Sequence, residues 1–126
     1  MPDEADDSKN AFTVRLTAEG ENFLAVQARG DLDLATLSAF LDGLRLLAMQ
    51  PEDQRALILD FTELDYIDST GLGSLLKTYW RMKEKRRVLR IAAPRRNVLR
   101  AIGLLQFDTI IPIYQSVQEA IEACNR

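Results

Sequence analysis

The chain has 126 residues, 47% of them apolar and 28% charged, which is the size and balance of one globular domain. It has no histidine and a single cysteine, Cys124, which excludes Ser-His-Asp and Cys-His catalysis, an internal disulfide and the usual zinc sites. The net charge of -3 is uneven: residues 1–10 carry four carboxylates against one lysine, while residues 77–100 carry ten of the sixteen basic residues and one acid, Glu84.

In chain order, residues 1–10 show no hydrophobic period and read as a disordered acidic tail before a domain at 11–126. They lack the basic-then-apolar pattern of a signal peptide, and no apolar run reaches the roughly 18 residues of a membrane span. A cytoplasmic protein without membrane insertion is expected. Phe12–Leu16 alternates as a strand does, Gly20-Glu21-Asn22 is turn chemistry, and Phe23–Ala28 is expected to pair back as a hairpin that Gly30 ends. A helix follows, capped by Asp31 or Asp33, with Leu34, Leu37, Leu41, Leu44 and Leu47 on one face.

Pro51 marks a loop, and Ala56–Leu59 is a continuous apolar run ending at Asp60, as in a strand buried on both faces. A connecting loop is expected from there to Asp68. Helical spacing restarts at Leu72, Leu75, Leu76, Tyr79 and Met82. Val88–Ala92 is a further strand. Pro94 opens a helix with Val98, Leu99 and Ile102 inward, which Gly103 stops. Thr109–Ile113 is strand-like, and a last helix buries Val117, Ala120, Ile121 and Cys124. The order β-β-α-β-α-β-α-β-α predicts an α/β domain: a central mixed sheet with flanking helices.

The stretch that carries chemistry is Asp68-Ser69-Thr70-Gly71-Leu72-Gly73, at the entry to a helix after a strand ending in Asp60-Phe61. Asp68, Ser69 and Thr70 are all good helix caps. Two glycines in one helical turn cost nearly 1 kcal/mol each relative to alanine, which implies a close approach to the backbone there. A hydroxyl at a helix start suits a phosphate, because free N–H groups and the helix dipole meet the anion. Phosphorylation adds about two negative charges beside Asp68, changing the surface while sparing the fold. Ser69 as a plain cap stands beside that reading.

Asp68–Gly73 in this strand–loop–helix setting resembles the signature of STAS-domain anti-sigma factor antagonists. Gly30-Asp31-Leu32-Asp33 resembles the family's other recurrent patch, and 101–120 resembles its closing helix–strand–helix pattern. The resemblance implies a non-enzymatic partner switch with no cofactor and no metal. The unphosphorylated antagonist binds an anti-sigma factor that is itself a serine kinase, and so frees a sigma factor. Phosphorylation of Ser69 releases it, and a PP2C-type phosphatase resets it. Asp31, Asp33, Asp68, Thr70, Gly71, Leu72 and Gly73 would lie at or near the docking surface.

Other readings remain beside these. Asp31 and Asp33 also suit plain capping. Asp60, at a strand end, permits a receiver-like aspartyl phosphate. The carboxylates Asp31, Asp33, Asp60 and Asp68 permit a hard cation, without any spacing signature. A STAS module can also serve, unphosphorylated, as a subunit of a membrane transport or lipid-trafficking complex. No Gly-rich phosphate loop supports nucleotide hydrolysis. The basic run 77–100 reads as a solvated face and not as a nucleic-acid site, given a sequence pI near 5.0. Trp80 lies beside the apolar stripe, as a rim residue or a contact.

Overall fold

The computed structural model describes residues 11–126, so the acidic segment 1–10 lies outside the described residues. The elements are β1 (Thr13–Glu19), β2 (Phe23–Leu32), α1 (Leu37–Ala48), β3 (Ala56–Asp60), β4 (Leu64–Ile67), α2 (Ser69–Glu84), β5 (Leu89–Ala92), α3 (Arg96–Leu104), a 3-10 turn at Phe107–Thr109, β6 (Ile113–Tyr114) and α4 (Val117–Cys124). The expected order holds with β4 inserted. β1 runs antiparallel to β2, and β2, β3, β5 and β6 are parallel neighbours.

Alternation along β2 sorts the core into two layers. Leu24, Val26 and Ala28 face α1, α2 and α3, where Phe40, Leu44, Leu75, Met82, Val98 and Ile102 are buried. Phe23 and Ala25 face the other way, with Ile58, Ala92 and Ala120, and among the described residues α4 is the helix that covers that side. Each fully buried Leu or Phe contributes about 1.5–3 kcal/mol. β3 is buried on both faces because helices cover both, as its unbroken apolar run required.

Several expectations are corrected. Gly30 does not end β2. Its φ of +106° kinks the strand, which continues to Leu32 with a shifted register and a new partner, β4. The loop after Asp60 therefore contains a strand. Its buried pattern, Leu64 and Ile67 in with Asp65 and Tyr66 out, has no period of two to betray it. Leu34 belongs to the turn before α1 and is exposed; Phe40, absent from the leucine stripe, is the residue the core takes. Gly103 does not stop α3, which runs to Leu104 before Gln106 turns left-handed. Leu99 faces outward. Thr109–Ile113 is mostly 3-10 turn and coil before a two-residue β6. Cys124 is half-buried beside the α4 cluster.

The basic run is not wholly a solvated face. Arg87 is 4% exposed and donates to the carbonyls of Ala48 and Arg55, each at 2.7 Å. Arg86 takes a left-handed turn that lets the Arg87 N–H reach the Met82 carbonyl and the Arg86 N–H reach Lys83, closing α2 with a Schellman motif. Asp53 sits 3.8 Å from Arg87 and 2.9 Å from Arg55. Hydrogen bonding from the Arg55 side chain holds the Asp53 carboxyl below its ordinary 3.8, against the opposing effect of its burial. A carboxyl depressed in the folded state contributes stability that is complete above the unfolded value and is lost as pH falls through the folded one. Urea unfolding of the wild type should therefore weaken progressively below about pH 4. Asp53→Asn should be less stable at neutral pH and show a flatter loss in that acid window.

Candidate functional site

The site is built where the kinked end of β2 meets β4 and the start of α2. Beyond the Gly30 kink, Asp31 pairs with Tyr66 and Leu32 with Ile67. The Leu32 carbonyl accepts the Asp68 N–H at 3.2 Å. Asp68 then caps α2: its backbone is extended and its Oδ1 accepts the Gly71 N–H at 2.9 Å. Ser69 is the first helical residue and is exposed.

The close approach expected at the glycines exists at one of them. A methyl group on Gly71 would lie 2.6 Å from the Leu32 carbonyl oxygen and 2.7 Å from Ile67 Cγ1. What approaches Gly71 is therefore the chain itself. Gly73 faces open space, with nothing within 4 Å of the corresponding point. Gly71 and Leu72 are buried, Asp33, Asp68 and Thr70 are partly exposed, and Asp31, Ser69 and Gly73 are exposed.

Asp33 serves as a cap for the turn before α1: its Oδ1 accepts the Thr36 N–H at 3.2 Å, while Thr36 Oγ1 donates to the Asp31 carbonyl at 2.6 Å. The Asp31 side chain makes no hydrogen bond among the described residues. Asp60 is buried and its carboxylate accepts from the Thr62 N–H (2.9 Å), the Thr62 hydroxyl and Gln27 Nε2 (3.3 Å). That carboxylate orders the β3–β4 turn, which leaves the receiver-like reading without an open acceptor. Among the described residues, no three acidic or cysteine side chains gather as a cation site.

Two groups of residues at the site escaped sequence reasoning. Tyr66 and Leu34 are exposed, at 49% and 74%, and flank Asp31 and Asp33. Missing β4 hid Tyr66, and placing Leu34 in the core stripe hid its exposure. Arg95 and Asn97, at the start of α3, fasten the β3–β4 segment. Arg95 bonds the Thr62 carbonyl (3.0 Å), Glu63 (3.1 Å) and Asp65; Asn97 bonds the Asp65 carbonyl at 2.8 Å. The sequence signal for Arg95 was a surplus of arginine, and Asn97 had none.

The family model for the STAS domain matches residues 15–120. The chain belongs to the STAS-domain family. Its strand–cap–helix site at Asp68–Gly73 lies inside the matched span. Among solved structures, this STAS domain superposes on an anti-sigma factor antagonist from Mycobacterium paratuberculosis with a TM-score of 0.80 at 21% identity, covering 93% of this chain and 97% of that one. It also superposes on the anti-sigma factor antagonist SpoIIAA in its unphosphorylated form, with a TM-score of 0.68 at 19% identity over 90% and 95% of the two chains. The murine anion transporter Slc26a9 matches with a TM-score of 0.77 at 13% identity, over 97% of this chain and 24% of the transporter. At these identities the likeness is one of fold.

The two glycines of the STAS helix start should separate cleanly on substitution. Gly71→Ala should destabilise by about 1–3 kcal/mol, because the methyl must displace the Leu32 carbonyl. Gly73→Ala should be neutral or stabilise by up to ~1 kcal/mol through helix propensity alone. Denaturant unfolding of both variants measures the contrast.

Proposed function

We propose that this STAS domain is an anti-sigma factor antagonist that works by partner switching in the cytoplasm. The unphosphorylated form binds an anti-sigma factor with serine kinase activity and thereby frees a sigma factor. Phosphorylation of Ser69 ends that contact, and a PP2C-type phosphatase restores it. The protein is a substrate in this cycle and not an enzyme.

The observation that carries the reading is the exposed Ser69 hydroxyl on the first helical residue of α2, directly after the Asp68 cap. The cap bond belongs to Asp68, so Ser69 is not needed to close the helix. A bland capping role for Ser69 therefore loses its support. The hydroxyl is open to a kinase, and a phosphate placed there leaves the buried Gly71 and Leu72 undisturbed. The docking surface would be formed by Ser69, Thr70 and Gly73 with Asp31 and Asp33 across the β2–α1 turn. Asp68, Gly71 and Leu72 would shape that surface from beneath.

The alternative, an unphosphorylated subunit of a transport or lipid-trafficking complex, draws on the likeness to one part of Slc26a9. Among the described residues no helix is long and apolar enough to cross a membrane.

Incubation with the cognate kinase and ATP should place one phosphate on Ser69, mapped by mass spectrometry, and Ser69→Ala should not be labelled. Ser69→Asp should weaken binding to the kinase at least tenfold, a loss of about 1.4 kcal/mol. Full labelling of Ser69→Ala, or recovery of a transport complex in place of a kinase in pull-downs, would overturn the proposal.

A further inference from the structure

A cavity of about 210 Å³ opens between α1 and α2 beside the site. Its walls are Leu37 and Leu41 from α1, and Ser69, Thr70, Gly73, Ser74 and Lys77 from α2. The contribution of α1 is purely apolar. Lys77 is the one cation lining the cavity, is exposed, and forms no ion pair among the described residues.

We propose that Lys77 is a built-in counter-charge for a phosphoryl group on Ser69, reaching it through the gap left by Gly73. This rests on Ser69 being the phospho-acceptor. The α2 start offers such a group the Ser69 and Thr70 N–H groups and the helix dipole, but no cation. The Gly71 N–H is already taken by Asp68, and the Asp68 carboxylate is an anion beside the incoming one. A full positive charge comes only from further along the helix, where Lys77 is the first cation of α2.

The geometry supplies it. Ser69 and Lys77 are eight residues apart, a rise of about 12 Å. Helical side chains lean toward the N-terminus, so the flexible lysine stem points back along α2 toward Ser69. Gly73 lies between them, and no side chain fills the space there. Thr70, Ser74 and Lys77 run along one helix line, which gives the cavity a polar wall opposite the two leucines. The cavity has room for a phosphoryl group, being several water volumes of about 30 Å³ in size.

The consequence is a two-state surface. Without phosphate, Lys77 presents a free ammonium at the edge of the proposed docking face. With phosphate, the new anion offsets that ammonium and takes up part of the cavity. A partner that pairs a carboxylate with Lys77 loses this contact in the same event that brings the new anion. The use of glycine at 73 thereby acquires a reason that packing does not supply.

The test needs no partner. Phosphoserine is installed at position 69 during translation, and its second ionisation is followed by ³¹P NMR. The phosphate in the Lys77→Gln protein should titrate about half a pH unit higher than in the wild type, because a nearby cation favours the dianion. Lys77→Arg should keep the wild-type value. Gly73→Leu, which keeps the lysine and fills the gap with a good helix former, should behave like Lys77→Gln. The difference should shrink as salt is raised. Circular dichroism on each variant confirms the fold. Equal titration of the wild type and Lys77→Gln overturns the counter-charge and leaves Ser69 as acceptor untouched. Failure of the kinase to label Ser69 removes the premise, whatever the titration shows.

Discussion

The carbonyl of Leu32 is the point on which the site rests. It accepts the Asp68 N–H, and the bare α-carbon of Gly71 packs directly against it. These two contacts join the end of β2, the end of β4 and the first turn of α2 with no room for adjustment. A close-packed contact of this kind does not deform gradually. The position and direction of α2 therefore follow from it, and with them the exposure of Ser69. The Asp68 cap completes the join by satisfying the Gly71 N–H that packing would otherwise leave unpaired.

The same economy appears in the basic residues. Charges that look like a surface run are partly internal fasteners. Arg87 closes the end of α1 by bonding the Ala48 carbonyl, and its burial is tolerated because carbonyls and Asp53 surround it. Arg95 holds the β3–β4 segment against α3, which fixes the strand that leads into Asp68. Arg90 bonds the Tyr114 hydroxyl and ties β5 to the short β6. The exposed cations Lys77 and Arg81 of α2 form no ion pair among the described residues.

Much of the architecture was legible because burial leaves a periodic trace. The Ala56–Leu59 run and the stripe Leu72, Leu75, Met82 correspond to buried faces, and the alternation of Phe12, Val14 and Leu16 to a half-buried one. β4 was not legible. Four residues that bury only their two ends carry no period, and the strand exists because β2 bends at Gly30 to meet it. Leu34 misled because the leucine spacing continued past the true start of α1, into a turn set by Asp33 and Thr36. Arg87 misled because a charge in a basic stretch is ordinarily solvated, and only its carbonyl partners, 32 and 39 residues away in sequence, reverse that expectation.

The sequence by itself determined the fold class, the strand–cap–helix character of Asp68–Gly73, and the absence of histidine chemistry. Those properties depend on residue type and local spacing, which act within a few residues. Only the tertiary structure decided which of the paired glycines is obligatory, that Asp68 and not Ser69 caps the helix, and that Tyr66 and Leu34 stand exposed around the site. Each of these depends on what another segment places against the residue in question. A glycine pressed on a distant carbonyl and a glycine facing solvent are the same letter, and only the neighbour tells them apart.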